Sequence, residues 1–136
     1  MRKILAIFVL CCVMIMSLST QVNASNDSDI SLCYENASNA NATFNINNGE
    51  AVVNVAYVGY KNITTGARVT VKLEKRTLLV FWNDVAEWES NSANYTDAFE
   101  YRYPVGNGTY RATIRIEISG TNGATDVIEK EIKAST

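Results

Sequence analysis

Apolar and polar residues alternate through most of the chain after residue 41, and the alternation is clearest late. Tyr110, Ala112, Ile114, Ile116 and Ile118 fall on one side of an extended strand, and Arg111, Thr113, Arg115, Glu117 and Ser119 on the other. Strict period two predicts a strand with one buried and one solvated face. The same texture recurs over residues 42–46, 69–73 and 99–103, where Pro104 ends the last of these. A final strand is expected over 127–133, with Lys130 between Ile128 and Ile132 as an edge-protecting charge. Asn47-Asn48-Gly49-Glu50, Gly106-Asn107-Gly108 and Gly120-Thr121-Asn122-Gly123 supply turns. Residues 51–60 are valine-rich, and the adjacent Val52 and Val53 leave their facing open.

Two segments break the pattern. Leu78 to Trp82 (LLVFW) is a continuous apolar run, too short for a core helix, which predicts a strand covered on both faces or a segment crossing between sheets. Trp82, Val85 and Trp88 are spaced by three, which fits a short helical turn or a bulged strand; residues 90–95 read as polar loop. About seven strands at turn spacings of roughly 8–15 residues, without a long helical pattern, predict an all-β fold. Each alternating strand has one apolar face, so two antiparallel sheets stacked as a β-sandwich bury both, with a barrel as the alternative.

The start of the chain reads differently. Arg2 and Lys3 precede an unbroken apolar run, Ile4 to Met16, and Val22-Asn23-Ala24 is a small-x-small site. This is the layout of a secretory signal peptide (residues 1–24) cleaved after Ala24. The run would span only roughly 20 Å as helix, short of the roughly 30 Å hydrocarbon core. A lipoprotein signal is disfavoured because neither Cys11 nor Cys12 has the required neighbours. Residues 25–41, rich in Asn, Ser and Ala, read as a polar tether before a sandwich domain over 42–133. The expected location is secreted, with no membrane attachment after cleavage.

Composition then narrows the chemistry. The chain of 136 residues has no histidine, which removes Ser-His-Asp and Cys-His catalysis and histidine-ligated zinc. Its net charge is −2, so non-specific nucleic-acid binding is not expected. Removal of the leader would take Cys11 and Cys12 and leave Cys33 alone. An odd thiol closes no internal bridge, so Cys33 is a candidate for an intermolecular disulfide, and the chain is expected as a monomer or a Cys33-linked dimer.

Val105-Gly106-Asn107-Gly108-Thr109-Tyr110-Arg111, leading into the isoleucine strand, resembles the E–F corner of immunoglobulin-like and fibronectin-type-III-like sandwiches. That resemblance implies a structural tyrosine corner at Tyr110, its hydroxyl bonded to upstream backbone. The stretch from Ala42 to Lys133 also resembles small exported β-sandwich proteins of Gram-positive bacteria, with a Trp-containing middle strand and a G-x-x-Y-R strand near the end. The chain departs from antibody domains in having no core cysteine pair and no lone core tryptophan on the third strand. Such a fold implies no single function.

Candidate sites follow from the aromatic and acidic residues. Trp82 and Trp88, with Tyr95 near them in sequence, are candidates for a ligand-binding platform that stacks on sugar rings; the rival role for such rings is to fill the core. Asp84, Glu87 and Glu89 form an acidic run beside them, read as a solvated face rather than a glycosidase pair or a calcium loop. No catalytic residue, metal or cofactor is expected. Lys72 and Glu74 should pair across strands with Arg111, Arg115 and Glu117. Asn-x-Ser/Thr sites at Asn26, Asn36, Asn41, Asn62, Asn94 and Asn107 would carry glycans only in a eukaryotic secretory route. The expected function is that of a secreted, non-catalytic interaction module whose partner is a protein or glycan. A carbohydrate-binding module and a Cys33-linked assembly subunit are the alternatives.

Overall fold

A computed structural model describes residues 34–136. Seven strands run in chain order: β1 (Ala37–Asn47), β2 (Glu50–Gly59), β3 (Thr64–Thr77), β4 (Phe81–Ser92), β5 (Thr96–Pro104), β6 (Thr109–Gly120) and β7 (Thr125–Ser135). They form two antiparallel sheets, one ordered β1-β2-β5 and the other β4-β3-β6-β7. The protein is all-β and its two sheets stack as a β-sandwich. Among the described residues no helix is long and apolar enough to cross a membrane.

Period two builds the core. Val69, Val71 and Leu73 of β3 stand opposite Ile116, Ile114 and Ala112 of β6, all at or within 2% of complete burial. Phe44, Val53, Val55, Tyr57 and Tyr101 meet them from the other sheet. Full burial of a large aliphatic side chain contributes about 1.5–3 kcal/mol, so this interlayer holds the domain. The facing of the valine pair is also resolved: Val53 points inward and Val52 toward the surface.

The polar segment before Ala42 is not a tether within the described residues. β1 begins at Ala37, five residues earlier than expected. The reason is a latch made from small polar groups. Asp126 of β7 accepts the backbone N–H groups of Glu35, Asn36 and Ala37 at 3.2, 2.7 and 2.9 Å. Asn36 is fully buried and donates its side-chain amide to the carbonyls of Ile118 and Ala124. A Cβ at residue 120 would collide with that amide, which is why Gly120 stands there. Lys130 is not merely an edge charge, for its ammonium donates to the carbonyl of Ala42 at 3.1 Å and joins β7 to β1. Residues 1–33, with the leader, the cleavage site after Ala24, Asn26 and Cys33, lie outside the described residues.

The LLVFW run departs most from expectation. It is neither a covered strand nor a crossing segment. β3 and β4 pair up to Thr77 and Phe81, and residues 78–80 form the tip of their hairpin. Further along, Leu73 pairs with Ala86 but Glu74 pairs with Asp84, which leaves Val85 as a β-bulge. The three-residue spacing of Trp82, Val85 and Trp88 thus marks a bulged strand. Residues 90–92 belong to β4 rather than to a loop.

Candidate functional site

The bulge at Val85 decides where the aromatic candidates go. An extra residue in one strand reverses which face the following side chains occupy. Trp88 stands opposite the buried Val71 and points between the sheets, its ring 5.6 Å from that of Tyr101 and 6.3 Å from that of Tyr103. Trp82 stands opposite the exposed Arg76 and lies on the outer face, with the Arg111 guanidinium 4.4 Å from its ring centroid. Tyr95 sits in the β4–β5 turn, at the other end of β4 from Trp82. The expected platform of Trp82, Trp88 and Tyr95 is therefore not assembled. In a regular strand residues six apart share a face, and the single unpaired residue separates the two indoles.

Tyr110 is buried and donates its hydroxyl to the Gly106 carbonyl at 3.0 Å, while Lys75 lies 5.5 Å from its ring centroid. Asp84, Glu87 and Glu89 occupy the open outer face of the four-stranded sheet. Lys72 binds Asp84 at 2.9 Å, and Arg68 lies 3.6 Å from Glu89. That contact with Asp84 raises the pKa of Lys72 above its ordinary value. One of the expected cross-strand pairs forms on the same face, with Arg111 reaching the nearly buried Glu74 at 2.8 Å; Lys72 binds Asp84 of β4 instead, and Arg115 binds Glu117 of its own strand and Glu129 of β7. Of the glycosylation motifs, Asn36 is enclosed by the latch, whereas Asn41, Asn62, Asn94 and Asn107 are exposed.

The most conspicuous surface feature is one that the sequence pattern assigned to the interior. Leu78, Leu79, Val80 and Phe81 are 84%, 77%, 69% and 61% exposed, four successive large apolar side chains in water. Scattered exposed apolar residues are ordinary, but a contiguous cluster at a protrusion marks an interaction surface. Its backbone adds to the oddity. Leu78 and Leu79 have φ of 48° and 68°, in the left-handed region where a branched side chain is strained. The Arg76 side chain donates to the Leu79 carbonyl, and Asn83 donates to the Thr77 hydroxyl at 3.1 Å, so the strained turn is braced from its own neck. Below it the Arg111 guanidinium and the Lys133 ammonium lie 4.4 and 5.8 Å from the Trp82 ring centroid. This tip and neck form the candidate site. A continuous apolar run bounded by cations at Lys75 and Arg76 was its only trace in the sequence.

The architecture defines a two-sheet antiparallel β-sandwich. No family model matches the chain, and no curated protein matches it. Among solved structures it is similar to a β-glucosidase from Listeria innocua in complex with gluconolactone, with 13% identity and a TM-score of 0.38. That similarity covers 72% of this chain but 16% of the enzyme, and nothing about activity follows from it.

Proposed function

We propose that the chain is an exported, non-catalytic interaction module whose working surface is the β3–β4 hairpin tip. The observation that carries this reading is the conjunction of highly exposed, large apolar side chains at residues 78–81 with left-handed backbone at Leu78 and Leu79. A turn selected for stability alone would place Asn or Gly there. Strain held on a surface protrusion is a cost accepted for what the side chains do. The non-catalytic part is supported by the acidic run, which lies on an open sheet face beside Lys72 and Arg68 rather than across a cleft. Export is supported by the leader pattern of residues 1–24 and belongs to the proposal, as does the likeness to exported Gram-positive sandwiches.

The finer class of the fold is part of the same reading. The orders β1-β2-β5 and β4-β3-β6-β7 fit an immunoglobulin-like sandwich with its fourth strand on the second sheet, the fibronectin-type-III-like arrangement. The Tyr110 hydroxyl on the Gly106 carbonyl fits the tyrosine corner of that class.

The test compares the native chain with a Leu78→Asn/Leu79→Gly variant in the cells that produce it. Retention of the native chain in the envelope fraction and release of the variant into the medium are expected, with the variant at least as resistant to urea. Equal partition of the two would overturn the reading.

A further inference from the structure

We propose that the β3–β4 tip seats in an anionic lipid surface, with residues 78–81 at the boundary of headgroups and acyl chains and with Lys75 and Arg76 against the phosphates. This rests on the reading of the tip as the working surface and names its occupant. The first support is shape. The tip is an apolar hairpin end that projects beyond the last strand pair, and a protein partner would have to offer it an apolar cleft. Among the described residues the two larger clefts have mixed walls with charged groups in them, one holding Arg68 and Glu117 and the other Glu50 and Arg102. A second copy of the chain would bring the leucines against those charged groups. A bilayer receives a convex apolar end without any preformed cleft.

The second support is charge. The whole chain has a net charge of −2, yet the neck of this tip is basic. Lys75 and Arg76 make no ion pair among the described residues, and Lys133 stands beside Trp82. Acidic groups near the neck are already neutralised: Glu74 by Arg111, Asp84 by Lys72, and Glu131 by Arg111 and Lys133. An apolar end with two cations at its base that no carboxylate pairs is complementary to an interface that is anionic outside and hydrocarbon within. Trp82 at the neck has the apolar body and polar N–H that suit the headgroup level.

The test places a reporter at each end of the sandwich in the full chain, so that any affinity of the leader is common to every sample. Val80→Trp reports the tip, and Thr121→Trp reports the β6–β7 turn at the far end. Vesicles are pure phosphatidylcholine or equimolar phosphatidylcholine and phosphatidylglycerol, each with brominated acyl chains that quench tryptophan on contact. Quenching of the added tryptophan is expected at position 80 and not at 121, and on the anionic vesicles only. Adding Lys75→Gln and Arg76→Gln should weaken the apparent affinity about five-fold per cation removed. Adding Leu78→Asn and Leu79→Gly should weaken it about ten-fold or more. Absence of quenching at 80, or equal quenching at 80 and 121, overturns the lipid proposal. Equal quenching on neutral vesicles overturns its anionic selectivity. If the vesicles give no signal while Leu78→Asn/Leu79→Gly still releases the chain from the envelope, the tip remains the working surface and its occupant is a protein. A dimer in sedimentation that this variant dissociates also overturns the lipid assignment, in favour of a second copy.

Discussion

Two hairpin turns of this domain each hold two successive residues at left-handed φ, with opposite side chains. Between β1 and β2, Asn48 and Gly49 have φ of 51° and 76°. Between β3 and β4, Leu78 and Leu79 have φ of 48° and 68°. The first pair is what a left-handed turn selects for, because Gly has no Cβ to clash and Asn tolerates the region. The second pair accepts roughly 1–2 kcal/mol per residue of steric cost. The comparison separates two uses of a turn: one reverses the chain at least cost, and the other holds large apolar groups away from the body.

The largest expected effect comes from making the first turn resemble the second. Asn48→Leu with Gly49→Leu should destabilise the fold by about 2–4 kcal/mol, measured by urea denaturation. A Cβ at Gly49 meets only the Val105 carbonyl oxygen, at an ordinary 3.6 Å, so the loss reads backbone strain rather than crowding. If stability does not change, the two turns are not distinguished by strain. The reverse exchange, Leu78→Asn with Leu79→Gly, should gain about 1–3 kcal/mol, seen as a higher urea midpoint with an unchanged slope. A decrease would mean that the leucines stabilise the turn and are not held there at a cost.

A smaller effect tests the brace. Trp82→Ala removes the ring against which Arg111 and Lys133 lie and should cost about 1 kcal/mol, with faster amide exchange at the β3–β4 neck and no change at Asn48 and Gly49. The smallest effect concerns the far end. Asp97 accepts from the Ser92 hydroxyl at 2.7 Å and then from the Ala98 N–H, which together hold its carboxyl below the ordinary Asp value. A depressed folded-state pKa gives a contribution that is present above the unfolded value, near 4, and is lost as pH falls through the folded value. Amide exchange around the β4–β5 turn should therefore rise below about pH 4, and Asp97→Asn should abolish that dependence. The Leu78–Leu79 turn should not follow the same curve.

Much of the layer structure was legible in advance because period two is a direct record of facing. The Tyr110–Ile118 stripe and its partners at Val69, Val71 and Leu73 needed no tertiary information. The contact of Tyr110 with Gly106 spans four residues and is also within reach of local pattern. The start of β1 was not, because Asn36 and Ala37 are ordered by Asp126, ninety and eighty-nine residues away. Nor was the candidate site. A run such as LLVFW has the same composition whether it fills an interlayer or caps a hairpin, and only the pairing of Thr77 with Phe81 separates the two. The positions of Trp82 and Trp88 depended on which strand partner was skipped, which spacing alone does not encode.

Val85 has a consequence for any engineering of β4. Deleting this single unpaired residue would restore an unbroken ladder and keep every pair between it and the hairpin, from Glu74 with Asp84 to Thr77 with Phe81. Trp82 would stay opposite Arg76 on the outer face, with the Arg111 guanidinium still on its ring. A one-residue gap at that point preserves sidedness, whereas the same gap at Asn83 would bring Trp82 opposite Lys75 and turn it to the other face.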